Sequence, residues 1–297
     1  MPGILNLKQI SVKLASVLTA FVLLFTQVYC AFLPKRDIYP KTENTVRIMT
    51  FNLLCRGTGE KSMMSRKGIV AQTIAEYYPD SIGVQEATPA WMLWLRTQLP
   101  EYDYVGVGRD DGHILGEFAA IFYLKDKYKV VDSGNFWLSK TPDVPSKGWD
   151  AGCNRICTWV VLENKVTGEQ YAHINTHLDN TGALARQNGV AMILEKAATF
   201  NIPTVCTGDF NLREGSSLYK TLVAGSLHDS KFLAPDSISH ATYNDFQQTA
   251  DPKNIIDFIL VNNQVTPLVY RVVSDGIDGK FVSDHYPVYS DMLINAG

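Results

Sequence analysis

Residues 204–215, TVCTGDFNLREG, begin as an apolar strand and then set Asp209 and Asn211 on either side of a single phenylalanine. Residues two apart in extended chain project to the same side, roughly 7 Å apart, while the one between them turns away. Such a ledge offers a carboxylate and an amide to one point, although an Asx turn uses the same residues. Related residues recur where other apolar runs end: Asn52 in MTFN, Glu86 in IGVQE and His177 in AHINTH, with Asp257 inside IIDFIL and Asp284 and His285 ahead of the last run. Glu86 and Asp284 are hard oxygen donors of the kind Mg²⁺ takes one or two at a time beside substrate phosphate. Asn52 and Asn211 can hold phosphate oxygens or an attacking water without changing charge. His177 and His285 can donate to phosphoryl oxygens or move protons, provided each ring is held by an acceptor. Asp257 is a candidate holder for one ring and Glu117 for the other. Together these parts suit metal-assisted phosphoryl hydrolysis.

The elements that must carry these residues follow from hydrophobic pattern. Residues 46–53 alternate as a strand ending at Asn52, and residues 66–78 show helical spacing that stops before Pro79. A strand closing near Glu86 leads to Thr88 as N-cap and Pro89 at the first helical position. Further strands are expected in residues 116–125, 157–164, 170–178, 204–207, 254–261 and 286–293, with helices over 184–200 and 216–222. Residues 130–149 read as turn-rich. Several strands are unbroken apolar runs, which implies sheets covered on both faces and an α/β sandwich. Trp91, Trp94 and Tyr123 read as core, His173 as a satisfied sheet histidine, and Tyr243 and Phe246 as aromatic turn packing. Arg109, beside Asp110 and Asp111, reads as part of a solvated turn, with a phosphate clamp as the alternative.

In order, TFNL (50–53), QE (85–86), NTHLD (175–179), GDFN (208–211), IDFI (256–259) and SDHYP (283–287) resemble the motifs of the endonuclease/exonuclease/phosphatase superfamily, the deoxyribonuclease-I-like fold. The resemblance covers about residues 46–293. It implies a four-layer α/β sandwich, two mixed β-sheets packed face to face and flanked by helices, in a domain spanning 45–297. It implies Glu86 as the main ligand of Mg²⁺, with Mn²⁺ as an alternative, and Asn52 and Asp284 near the ion. Asp209 would orient or deprotonate the water, and Asn211 would hold it or the phosphate. His285, oriented by Asp257, would contact the scissile phosphate, with His177 as a second catalytic histidine paired to Glu117 and Arg155 as a phosphate contact. The expected activity is hydrolysis of a phosphodiester, as a nuclease on RNA or short single-stranded nucleic acid. The alternatives are a phosphatase or phosphodiesterase for sugar, inositol or lipid phosphates, and a catalytically silent binding module.

The chain's 297 residues are 46% hydrophobic with a formal charge of −3. An acidic balance argues against a long groove for duplex nucleic acid, whose binding draws on neutralised phosphates. No stable protein partner is implied. Residues 1–30 place Lys8 and Lys13 before an apolar run and Val28 and Cys30 at cleavage-site positions, the order of a secretory signal, with a membrane-tethering anchor as the alternative; residues 31–44 read as a linker. The expected destination is secreted or extracytoplasmic. Cys153 and Cys157 could bridge only if CNRIC bends, since extended chain holds them about 13 Å apart; free thiols are the alternative.

Overall fold

A computed structural model describes residues 38–277 and 279–294. The signal and the first part of the linker lie outside the described residues. The chain runs β1 (Val46–Asn52), α1 (Met63–Tyr77), β2 (Ser81–Gln85), α2 (Pro89–Gln98), β3 (Tyr102–Val105), β4 (Ile121–Leu124), β5 (Tyr128–Trp137), β6 (Ile156–Asn164) and β7 (Gln170–His177). It continues through α3 (Ala183–Ala198), β8 (Thr204–Asp209), α4 (Ser217–Val223), β9 (His228–Asp229), α5 (Ser230–Leu233), β10 (Asp236–Ile238), β11 (Asp257–Val261), β12 (Val265–Val272) and β13 (Val288–Ile294). Among the described residues these strands form a seven-stranded sheet, β10-β12-β13-β1-β2-β4-β3, and a six-stranded sheet, β5-β6-β7-β8-β11-β9.

Helices close both outer faces, giving the expected four layers. Val70 and Ile74 of α1 and Trp91 and Leu95 of α2 join the core of the seven-stranded sheet, while Val190 and Ile193 of α3 and Leu222 of α4 cover Ile174, Cys206 and Phe258 of the other. Each of these side chains is worth about 1.5–3 kcal/mol on burial. The helix starts follow local sequence: Ser62, Thr88 and Ser216 each accept a hydrogen bond from a backbone N–H in the first turn, a cap worth about 1 kcal/mol.

Topology gathers the strand ends. β1 and β2 are parallel, as are β7 and β8, so each pair delivers its C-terminal residues to one rim. β11 runs antiparallel to β8 with Asp257 opposite Asp209, and β13 antiparallel to β1, so both antiparallel strands start at that same rim. The facing sheets are pinned by a buried polar seam. Ser81 Oγ meets His173 Nδ1 at 2.8 Å and Thr207 Oγ1 meets His173 Nε2 at 2.8 Å. Gln85 Nε2 donates to Asn175 Oδ1 at 2.7 Å, and Asn175 Nδ2 donates to the Val84 and Ala120 carbonyls at 3.0 Å. His173 is thus satisfied on both nitrogens. Gly83 is required at this seam, because a methyl group there would run into Thr207 Oγ1 and Asn175 Oδ1.

One reading of the chain needs correction. The stretch read as turn-rich begins inside the ten-residue strand β5 and takes in most of it. As the edge of its sheet it pairs only with β6, bulges between Val130 and Asp132, and keeps most of its middle solvent-exposed, so it carries the polar residues of a loop. The described part of the linker is docked: Lys41 pairs with Asp80, and the Thr42 N–H donates to Asp291 Oδ2 at 3.1 Å. Cys55, Cys153, Cys157 and Cys206 are all free thiols.

The end of the sheets remote from the gathered rim is closed by fully compensated charge. Asp80, with no exposure, receives Lys41, Lys127 Nζ at 2.5 Å, the Arg47 N–H at 2.7 Å and the Tyr128 hydroxyl at 3.0 Å. Burial alone would raise its pKa, but the two ammonium groups outweigh burial and hold it below the usual carboxylate range. Nearby, buried Arg47 forks onto Asp291 at 2.6 and 2.8 Å.

Candidate active site

At the gathered rim, a cleft of about 580 Å³ is lined by Glu86, Glu117, Arg155, His177, Asp209, Asn211, Asp284 and His285. Asn52 lies beneath, fully buried, and its Nδ2 donates to Glu86 Oε1 at 3.1 Å and Asp209 Oδ2 at 3.0 Å, joining the two sheets' carboxylates. Asp257 also lies beneath the cleft and accepts from His285 through Nδ1···Oδ2 at 2.9 Å, as expected. His177 Nε2 stands 3.4 Å and His285 Nε2 3.7 Å from Asp209 Oδ2. The Asn211 N–H donates to Asp209 Oδ1 at 3.0 Å, and its side-chain amide donates to the Leu178 carbonyl at 2.9 Å. The ledge is therefore an Asx-type turn and a site wall at once. A larger hollow of about 800 Å³ between α3 and α4 is mostly apolar and carries no carboxylate or imidazole, so the chemistry lies in the smaller cleft.

The two histidines are driven to opposite protonation states. Burial lowers the His177 pKa well below the ordinary value, and the positive charges of Arg155, Arg109 and His285 push the same way, so the ring is neutral. Burial also opposes charge on His285, but the Asp257 and Asp209 carboxylates outweigh it and raise the pKa to about 10. Asp209 is raised by burial and by Asp257 beside it. A neutral and a cationic imidazole around one basic carboxylate is an acid/base arrangement.

Glu86 and Asp284 form the second half of the cleft. Burial raises Asp284, and the negative charge of Glu86 raises it further. Burial would raise Glu86 as well, but the Cys55 N–H, at 2.7 Å, and Asn52 hold it ionised. Two carboxylates lining one cleft fit a hard divalent cation, and Asn52 supplies a neighbouring amide. Glu86, Glu117 and the Cys55 thiol offer atoms within 4.8 Å of one another, a further group of metal-ligand type, although burial and Glu86 raise the Cys55 pKa and keep it a thiol. Backbone strain collects here: Leu54, Glu86 and Asn211 have φ of 57°, 55° and 48°, left-handed values that cost such residues on the order of 1 kcal/mol each.

One pairing differs from expectation. Glu117 holds Arg109, not His177: Arg109 Nη1 and Nη2 reach its oxygens at 2.7 and 2.9 Å. Arg109 is accordingly a cleft residue rather than part of a solvated turn, because its guanidinium folds back onto the Glu117 carboxylate in the segment before β4. Arg155 lines the cleft with Nε on Asp179 Oδ2 at 3.2 Å and Nη2 on Asn180 Oδ1 at 3.3 Å. Tyr243, read as turn packing, also lines the cleft, its ring 5.0 Å from that of His285. Arg66 escaped the sequence reading altogether. Its buried guanidinium donates to the Val282, Leu53 and Leu54 carbonyls, tying the loop after β1 to the segment before Asp284. In sequence it is one cation at the start of an amphipathic helix, with nothing to mark it.

The chain belongs to the endonuclease/exonuclease/phosphatase family, whose model matches residues 49–285. Members of this family are metal-dependent phosphoester hydrolases. The chain is similar to a solved family protein from Bacteroides vulgatus, with 36% identity and a TM-score of 0.79 over 85% of this chain and 100% of that one. A mannosyl-6-phosphatase from Bacteroides thetaiotaomicron is 33% identical, with a TM-score of 0.79 over 84% of this chain and 99% of that one. Human nocturnin is 23% identical over 260 residues, 77% of this chain and 58% of nocturnin, so the chain spans little over half of that relative.

Proposed function

We propose that this chain is a Mg²⁺-dependent phosphoesterase that directs water at phosphorus, and that its substrate is a small phosphomonoester of the sugar phosphate class. The observation that carries the chemistry is Asp209, buried and oppositely flanked by a neutral and a cationic imidazole. Asp209 orients the water and accepts its proton, an assignment its raised pKa supports. His285, kept charged by Asp257, donates to the phosphoryl oxygens, and His177 donates from the other side. Glu86, Asp284 and Asn52 would hold the divalent ion, which supplies Lewis-acid neutralisation of phosphoryl charge when bound.

Three observations support the monoester. The cleft, about 580 Å³, suits a small ligand. The chain is acidic overall. The similarity to a mannosyl-6-phosphatase covers nearly all of that protein. This departs from the phosphodiester preferred on sequence alone, which stays as the competing reading. Hexose 6-phosphates, p-nitrophenyl phosphate, bis-p-nitrophenyl phosphate and single-stranded oligonucleotides should be compared under one Mg²⁺ condition. Fastest release of phosphate from the hexose phosphates is expected; faster shortening of oligonucleotides would reverse the reading, and inertness toward all would leave a binding module. We further propose export, tested by whether secreted protein begins near Ala31.

A further inference from the structure

Behind His177, sharing Arg109, Glu117, Arg155 and His177 with the main cleft, lies a hole of about 10 Å³ walled also by Phe118, Ala119 and Ile156. Three of its walls carry buried polar atoms that meet no partner among the described residues: Arg109 Nε, Arg155 Nη1 and His177 Nδ1. Both arginines are otherwise engaged, Arg109 with Glu117 and Arg155 with Asp179 and Asn180, so neither guanidinium is free to swing away. Arg155 and His177 are 5% and 8% exposed. Leaving such atoms unpaired is costly, and a space of this size holds one water when it has two to four polar partners.

We propose that this hole is a one-water site that links Arg109, Arg155 and Glu117 to His177 and fixes the tautomer of its ring; the catalytic meaning rests on the phosphoesterase reading. The hydrogen-bond inventory dictates the direction. A guanidinium only donates, so the two arginines fill both lone pairs of the water. Its two protons must then go outward, one to His177 Nδ1 and the other to the Glu117 carboxylate that also walls the hole. His177 Nδ1 is therefore an acceptor, the proton resides on Nε2, and Nε2–H points at Asp209 and the phosphoryl position. Were Nδ1 protonated, three donors would face one water with two lone pairs. Glu117 thus reaches His177 through a water, and Arg109 and Arg155 are positioning residues. The neutral state of His177 agrees with this arrangement.

The competing occupant is chloride, which would accept from both arginines and would require Nδ1–H on His177, the opposite tautomer. Long-range ¹H–¹⁵N spectra of the full chain labelled with ¹⁵N-histidine, with His177 assigned by its loss in His177→Gln, read the tautomer directly. The expected signature is a neutral ring with Nε2 protonated and Nδ1 bare, unchanged by exchanging chloride for acetate. A Nδ1–H ring, or a tautomer that follows chloride, overturns the proposal. In Arg155→Met and Glu117→Gln the ring should become a tautomer mixture and kcat should fall on the order of tenfold with KM little changed. A single Nε2–H tautomer in both variants also overturns it. The spectra are independent of turnover, so an inert protein with the expected tautomer sinks the phosphoesterase reading and spares the water site.

Discussion

β2 begins beside Asp80 and ends beside Glu86, two acids that meet opposite treatment within one short strand. Asp80 is surrounded by fixed cations and donors from the same chain, and its charge belongs to the fold. At the other end Glu86, Asp284, Asp209 and Asp257 crowd together; burial and Asp257 push Asp209 up, and burial and Glu86 push Asp284 up. Arg66, whose charge is felt by Asp284 and Glu86, spends its donors on backbone carbonyls. A buried acid with its own counter-charge stabilises the protein. Buried acids gathered in excess of the cationic His285 beside them are held in place by the rest of the fold and await further charge from outside.

The comparison can be broken most forcefully by removing one acid from each end. Asp209→Ala should cut phosphoester hydrolysis by about a thousandfold or more, whereas Asp209→Asn should leave the thermal midpoint unchanged or higher, because it relieves repulsion. An Asp209→Asn protein as destabilised as an Asp80 variant would abolish the distinction. Asp80→Ala should lose about 3 kcal/mol in urea unfolding, since it strands two ammonium groups and the Tyr128 hydroxyl, with kcat of the folded fraction retained. Somewhat smaller is the effect of a divalent ion. Saturating Mg²⁺ or Mn²⁺ at about a hundred times Kd should add about 2.7 kcal/mol to the wild type and nothing to Glu86→Gln, read by thermal shift. The smallest effect is the acid limb of stability. The Asp80 pKa is depressed in the folded state, so its contribution is complete above the unfolded value of about 3.9 and disappears as pH falls through the folded value. Stability of the wild type should therefore drop more steeply below about pH 4 than that of Asp80→Asn.

Much of this was legible in the residues because the chemistry interrupts a simple pattern. Asn52, Glu86, His177 and Asp209 are polar where an apolar run stops, and strand ends that share a rim are brought together by the sheet. The interrupted pattern made Asp257 a candidate holder for one of the two histidines, and the resemblance to the superfamily is what assigned it to His285. What stayed hidden depends on side chains crossing between segments. Glu117 and His177 come to the same cleft, but Arg109, eight residues before Glu117, takes the carboxylate first. Arg66 and Tyr243 act through loop geometry that leaves no periodic trace. β5 was missed because an edge strand needs no hydrophobic face on its solvent side.

Gly83 gives the seam between the sheets its closeness. Asn52 and Glu86 belong to one sheet, Asp209 and Asp257 to the other, and a single amide bonds across them, so the catalytic constellation is a joint between two plates whose gap is set a few residues below. Turnover is then a gauge of that gap, finer than any probe of secondary structure. Under rising hydrostatic pressure, or in urea short of the unfolding transition, hydrolysis should fade while circular dichroism holds steady, and Gly83→Ala should show that separation in plain buffer.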